Sequence, residues 1–327
     1  MRSTRWIKAV LFSLVAMAMA MAMGGARAQS FPSKTVRIVV PFGAGGVADL
    51  TARTVGQKLS ESLGQPVLID NKPGAGGVAA GDAVAKAEPD GHTLLLMSNG
   101  TAVSTGLFKS LPFDALRDFA PISTLATFDI AILVPAESKF KTLGELLAFA
   151  KANPGKLNLG SINIGSTQNL AAELFKSTSG TDMQVVPYNG TPALITALRG
   201  GQIDVGVEIL GPVLPQVTAN ALRVLAVTGD KRAAVLPDVP TAKESGLPAF
   251  VASSWNALAA PAKTPKDVIA RLNKDIALAL NNPDIKKKLH ELNVEALPGT
   301  PEQAAALLAS ETKRWGDVIN AAKIPKQ

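Results

Sequence analysis

From Phe31 onward the chain alternates short runs rich in Val, Ile and Leu with longer stretches whose apolar residues recur every three or four positions. Short apolar strands interleaved with amphipathic helices are the pattern of a largely parallel sheet covered by helices. Strands are expected at residues 36–40, 67–70 and 93–98, with helices at 48–63 and 78–87 between them. Gly64 stands where a left-handed helix cap is usual. The theme then repeats: a strand at 130–134, a helix at 143–152 opened by the capping box Thr142-x-x-Glu145, a strand at 157–161, a helix at 166–176, a strand at 183–187, a helix at 191–199, and strands at 205–208 and 223–227. Residues 236–248 are polar and proline-rich and read as a surface excursion. A return strand is expected at 255–260. Two helices close the chain, started by Thr264-Pro265-x-Asp267 and Thr300-Pro301-x-Gln303. In the last helix Ala304, Leu307, Leu308, Trp315, Val318 and Ile319 share one stripe. Two α/β halves and a C-terminal return predict two lobes joined by more than one crossing segment.

The first residues do not fit this pattern. Arg2, Arg5 and Lys8 precede an uncharged run at 9–23, followed by Gly24-Gly25-Ala26-Arg27-Ala28. A basic start, an apolar stretch and an A-x-A site describe a secretory signal peptide, with cleavage expected after Ala28. At about 15 residues the apolar stretch is shorter than the roughly 20 a spanning helix needs. The periplasm is therefore the expected compartment.

Composition narrows the chemistry. The 327 residues include 33 Lys plus Arg against 26 Asp plus Glu, a formal charge of +7. Residues 1–28 carry four of the basic groups and no acidic ones, which leaves +3. So small a charge does not point to nucleic acid as a partner. No cysteine is present and His92 and His290 are far apart, so neither a thiolate nor a histidine metal site is expected, and no catalytic triad or G-x-S-x-G elbow can be assembled. Neither an enzyme nor a cofactor is expected.

The strongest local feature is an echo. Gly43-Ala44-Gly45-Gly46-Val47-Ala48 follows the first strand and Gly74-Ala75-Gly76-Gly77-Val78-Ala79 the second. Each falls where a strand gives way to a helix, so free backbone N–H groups and the helix dipole favour an anion without any cationic side chain. Gly43-x-Gly45-x-x-Ala48 with Asp70 also matches a loose dinucleotide fingerprint. Pro41 and Phe42 between strand and glycines, the second copy of the loop, and export all speak against a nicotinamide enzyme. A purely structural role as tight turns is the remaining alternative.

Further motifs extend the picture: Pro41-Phe42-x-x-Gly45-Gly46-x-x-Asp49-x-x-Ala52-Arg53, Asn71-x-Pro73-Gly74-Ala75-Gly76-Gly77, Pro89-Asp90-Gly91-x-Thr93-Leu94-Leu95, Val186-Pro187-Tyr188-x-Gly190, Gly200-Gly201-Gln202-x-Asp204 and Leu236-Pro237-Asp238-Val239-Pro240-Thr241. In this order they resemble the Bug family, the TctC-like binding proteins of tripartite tricarboxylate transporters. The resemblance implies an α/β, two-lobed periplasmic binding protein of type II, a Venus flytrap. Lobe 1 would comprise 29–129 plus 255–327 and lobe 2 residues 130–254. It further implies a monomer that captures a small mono-, di- or tricarboxylate, with bridging waters, for a membrane permease. A sensing subunit for a membrane receptor kinase is the alternative role.

Carried over residue by residue, the resemblance places Phe42, Ala44, Gly45, Gly46 and Val47 on one side of the ligand carboxylate and Ala75, Gly76 and Gly77 on the other, with Ser98 and Asn99 completing lobe 1. Lobe 2 would contribute Ser161, Ser166, Thr167, Tyr188, Asn189 and Glu208. Ser166 also reads as an N-cap. Asp49 is expected to complement the first helix turn, Arg53 to pair with a carboxylate, and His92 and His290 to be structural. Three departures bear on specificity: Asn169 replaces a common His, the loop after Tyr188 is one residue short, and Glu208 stands where Asp is commoner. If both glycine loops face the ligand, Gly45→Val and Gly76→Val are expected to abolish binding and leave the fold intact.

Overall fold

Four of the five residues of Val36–Val40 (β1) are buried, as the near-continuous apolar run requires of an inner strand. In this computed structural model, which describes residues 31–321 and 324–327, β1 pairs in parallel with Val67–Asn71 (β2) and Thr93–Ser98 (β3). The helices Val47–Leu63 (α1), Val78–Ala85 (α2) and Asn99–Leu107 (α3) follow these strands. Gly64 closes α1 at φ 67°, and its N–H donates to the Ser60 carbonyl. The expected signal peptide lies outside the described residues. The unit Met1–Ser33 adds only Phe31, Pro32 and Ser33 to them, and all that follows concerns the compact unit Lys34–Gln327.

Phe119–Pro135 (β4) leads into the second half: Leu143–Ala152 (α4), Asn158–Ile162 (β5), Thr167–Ser179 (α5), Gln184–Tyr188 (β6), Thr191–Arg199 (α6), Val205–Ile209 (β7), Leu210–Thr218 (α7) and Leu222–Val227 (β8). Ser253–Pro261 (β9), Lys266–Asn281 (α8), Pro283–Glu291 (α9), Val294–Ala296 (β10) and Pro301–Ala321 (α10) then return to the first half. From Phe119 to Asp129, β4 pairs antiparallel with β9, which in turn pairs antiparallel with β3. From Ile130 to Pro135 it pairs instead with β7 and β8, while β7, β5 and β6 run parallel. One strand thus belongs to both half-sheets, and the whole is a mixed, curled α/β sheet with helices on its faces.

Several elements depart from expectation. β4 is 17 residues long, not the expected five, because register shifts at Pro121/Ser123 and Thr124/Ala126 break the period-two pattern that marks a strand. Its buried Ser123 instead donates its hydroxyl to the Gly299 carbonyl at 2.9 Å. The unexpected α3 has the poor helix formers Gly100, Thr101, Ser104 and Gly106, yet Ser98 and Thr101 form a capping box and most of the helix is buried. α7 was masked by Pro212 and Pro215. Three helices close the chain rather than two, with α9 and β10 between the expected pair. Pro265, not Thr264, is the N-cap of α8, with no side-chain cap. The second expected box is present: Thr300 Oγ1 accepts the Gln303 N–H at 3.2 Å and Gln303 Oε1 the Thr300 N–H at 2.9 Å.

Each half-sheet has its own core. Val39, Leu95, Met97, Phe113, Trp255 and Leu308 belong to one, and Leu133, Ile162, Leu194, Leu198, Leu210 and Val213 to the other. A third cluster joins the halves, formed by Val103 and Leu107 of α3, Leu170 of α5, and Trp315 and Ile319 of α10. The apolar stripe of α10 therefore covers α3, and Trp315 is fully buried with its indole N–H on Glu311 at 2.9 Å. Trp315→Ala is expected to destabilise the protein by about 3–5 kcal/mol, measured by denaturant unfolding, since it opens a cavity between the halves.

Candidate ligand-binding site

A narrow cavity of about 20 Å³ lies between the two half-sheets, lined by Phe42, Gly46, Val47, Ala48, Ser98, Phe128, Ile162, Thr167, Gln168, Thr191, Ile209, Ser254 and Asn256. None of these side chains is charged. What they share is position: Gly46, Val47 and Ala48 begin α1, Ser98 caps α3, Thr167 and Gln168 open α5, Thr191 opens α6 and Ile209 caps α7. Five helix N-termini converge on one small space. The helices that follow β1, β3, β5, β6 and β7 begin there because each of these connections is short, which turns the helix back at the carboxyl edge of its strand; the loop after β2 does not reach the cavity.

A helix N-terminus carries about half a positive charge and unpaired N–H groups. At α1, α6 and α7 the N-caps Gly46, Gly190 and Ile209 supply no side-chain cap, so their first-turn donors are not taken up by a capping oxygen. Ser98 and Ser166 do cap: Ser98 Oγ accepts the Gly100 N–H at 3.0 Å, and Ser166 Oγ accepts the Asn169 N–H at 3.1 Å. Neutral hydroxyl and amide groups complete the lining. Thr167 Oγ1 lies 2.9 Å from Ser254 Oγ, a bond from α5 to β9, and Asn256 Oδ1 is buried without a hydrogen-bond partner. Phe42, Phe128 and Ile162 form apolar walls. The arrangement suits a small anion with some apolar body. Each helix end contributes roughly 0.3–2 kcal/mol to holding such a charge.

Of the residues expected from sequence, the structure brings Phe42, Gly46, Val47, Ser98 and Thr167 to the cavity. The others stand elsewhere. Ala44 and Gly45 are exposed, and the Gly45 N–H donates to Asp49 Oδ2 at 3.0 Å. Ala75 is exposed, the Gly76 N–H donates to the Ile164 carbonyl at 2.7 Å, and the Gly77 N–H donates to the Gly74 carbonyl at 3.2 Å. The second glycine loop is thus spent on closing the rim against the opposite half. Asn99 donates its amide to the Ser253 carbonyl at 3.0 Å. Ser161 accepts from Asn169 Nδ2 at 3.2 Å, and Asn169 Oδ1 accepts the Gly165 N–H at 3.2 Å, so the departure at 169 braces the turn before α5. Tyr188 packs on the second core, and Asn189 is exposed. Glu208 is buried one layer behind Gln168, whose Nε2 donates to its Oε1 at 2.7 Å.

Sequence reasoning missed Ala48, Phe128, Ile162, Gln168, Thr191, Ile209, Ser254 and Asn256. A signal existed for two of them: Ser254 and Asn256 are polar and two apart at the start of a strand that is apolar from Ala257 onward, which marks one face as facing something polar. Gly190-Thr191-Pro192 was likewise readable as a helix start. Asp49 and Arg53 behave as expected. Burial pushes the Asp49 carboxyl up, but hydrogen bonds from Arg53, the Gly45 amide and Asn71 outweigh it and hold the group below the ordinary value. The ion pair, 2.9 Å from Arg53 to Asp49 Oδ1, stiffens the first glycine loop from outside the cavity.

Glycine geometry also separates the two loops. Gly76 has φ 58°, and a Cβ there would run into the Phe108 ring. Gly45 has φ 83°. A side chain at either position strains the backbone, and at Gly76 it meets a neighbouring ring rather than the cavity. Gly46 differs, with φ −84° that any residue adopts and a Cβ position 3.3 Å from Thr191 Oγ1.

Comparison with known proteins agrees with this architecture. The family model described as tripartite tricarboxylate transporter family receptor matches residues 51–324. A UPF0065 protein from the tcbD-tcbE intergenic region of Pseudomonas sp. strain P51 is 38% identical over 310 residues, covering 94% of this chain and 92% of its own. Among solved structures, the periplasmic binding protein BugD is 31% identical with a TM-score of 0.87, covering 91% of this chain and 100% of its own. A Rhodopseudomonas palustris protein with adipate is 32% identical with a TM-score of 0.87 (90% and 99% covered), and MatC from the same organism, with bound malate, is 34% identical with a TM-score of 0.83 (88% and 100% covered). With the matched model spanning most of its length, the chain belongs to the tripartite tricarboxylate transporter receptor family, the TctC or Bug type of periplasmic solute-binding protein.

Proposed function

We propose that this protein captures a small organic carboxylate in the periplasm and delivers it, unchanged, to the membrane permease of a tripartite tricarboxylate transporter. The observation that carries this is the convergence of five helix N-termini on a cavity without a charged side chain. Such a site favours an anion, yet lacks the fixed cation that would make release slow. The adipate and malate bound to related proteins are carboxylates, and admitting an acid of that kind here requires the narrow cavity to widen. The two lobes are taken as 29–129 plus 255–327 and 130–254, because β4 changes partners between Asp129 and Ile130. Ligand binding would shift the balance between open and closed arrangements of these lobes. Waters bridging the carboxylate to Ser98, Thr167, Thr191 and Asn256 would let one pocket accept acids of different length. Export through cleavage after Ala28 belongs to the same proposal.

The experiment is a thermal-shift screen of the mature chain against mono-, di- and tricarboxylates. At ~100 times its dissociation constant a true ligand is expected to stabilise the protein by about 2.7 kcal/mol. A flat response across the whole panel overturns the proposal. The location of the site is tested separately. Gly46→Val is expected to fold, at a cost of about 1–3 kcal/mol from crowding Thr191, and to lose the response to carboxylates, measured by calorimetric titration. Undiminished binding by this variant would place the ligand elsewhere.

A further inference from the structure

Glu208 lies at the end of β7 and is 1% exposed. Its Oε1 accepts hydrogen bonds from Gln168 Nε2 and from the Ile209 N–H, each at 2.7 Å. The Thr191 hydroxyl approaches the same carboxyl, and Oε2 is buried without a hydrogen-bond partner. Gln168, Thr191 and Ile209 all line the cavity. Glu208 therefore backs three of the cavity walls without lining it.

A charged carboxylate here would lack compensation. The elements packed on β7 are β4, β5, α5, α6 and α7. On β4 the charged residue is Asp129, two positions before the Ala131 that faces Glu208 in register, and its Oδ2 accepts from Asn293 at 3.3 Å. On α5 the charged residues are Glu173 and Lys176, which lie beyond the first turn and pair with each other at 3.5 Å. On α6 it is Arg199, at the far end, and neither β5 nor α7 contains one. Asp204, ahead of β7, accepts the Asn158 N–H, and the titratable Tyr188 closes β6. Among the described residues no cation faces Glu208. Burial pushes its carboxyl up from the ordinary value, against the hydrogen bonds from Gln168, Ile209 and Thr191 that favour the charged form.

An anion in the cavity adds a second negative charge on the other side of those walls. Two like charges in one poorly solvated region are unfavourable, and the cheapest relief is a proton on the group already short of partners. Building on the carboxylate reading of the cavity, we propose that Glu208 is a proton-linked positioning residue: the site holds its anion while Glu208 is neutral, and capture takes up a proton wherever Glu208 would otherwise be ionised. The sign follows from linkage. A bound anion strengthens proton binding at Glu208, and by reciprocity the proton strengthens anion binding, so affinity is highest at low pH and falls as pH rises through the Glu208 midpoint.

The test is calorimetric titration of the mature protein with adipate and with malate between about pH 6 and 9, where both acids are largely ionised, in buffers of different ionisation heat. For the wild type we expect a dissociation constant that rises by up to about tenfold per pH unit above the midpoint, with up to one proton taken up per ligand. Glu208→Gln, neutral at every pH, is expected to bind with a flat pH profile and no proton uptake, a signature that a merely structural role would not produce. If that variant fails to fold, the buffer dependence of the wild type decides alone. Binding that persists with no pH slope and no buffer dependence overturns the inference, as does a Glu208→Gln variant that keeps the wild-type slope. Loss of binding at every pH would instead count against the carboxylate reading on which this rests.

Discussion

The structure turns on one electrostatic arrangement: helix N-termini from both half-sheets aimed at a single volume. No one of them is strong. A helix end is screened within a turn and is worth a kilocalorie or so, but five ends sharing a water-poor space act on the same charge. The arrangement depends in turn on β4. Because that strand is hydrogen-bonded to β9 along its first part and to β7 and β8 along its second, the carboxyl edges of the two half-sheets are held facing each other. A break in β4 would leave each set of helix ends with nothing opposite.

Contacts across the cavity are polar at the centre and apolar at the periphery. Thr167 meets Ser254, Gly76 meets Ile164, and the larger apolar joint is the cluster of Leu170 with Val103, Leu107, Trp315 and Ile319. Parting of the halves would break those hydrogen bonds and uncover Leu170 and its partners in that joint. Single hydrogen bonds exchange readily for water at a net cost of about 1 kcal/mol each, whereas the cores of the two halves stay intact on either side.

Much of this was legible in the sequence, and the parts that were not share a cause. Periodicity located the parallel strands and the amphipathic helices, since both patterns come from burial on a regular lattice. It failed where burial and regularity part company: in β4, where bulges reset the alternation, and in α3 and α7, whose Gly, Ser, Thr and Pro content hides helices held by packing and caps. The site was half legible for a similar reason. The first glycine loop begins a helix that points into the cavity, and the second, nearly identical in sequence, serves to seal the rim. Sequence identity between the loops could not reveal that Phe108 and Ile164 stand against one of them. Residues such as Gln168 and Asn256 give no motif, because what recruits them is the convergence of elements far apart along the chain.

A site made of backbone has a consequence for how such a protein diversifies. Side-chain truncation does not delete a peptide dipole, so no one truncation removes the positive end-charge of the helices, as loss of an arginine would where one arginine holds the ligand. The anion preference proposed for this cavity is thus spread over several helix ends, while Phe42, Phe128 and Ile162 set the shape of its walls. Under that proposal, a change of ligand range falls to the shape of the walls rather than to the charge they enclose.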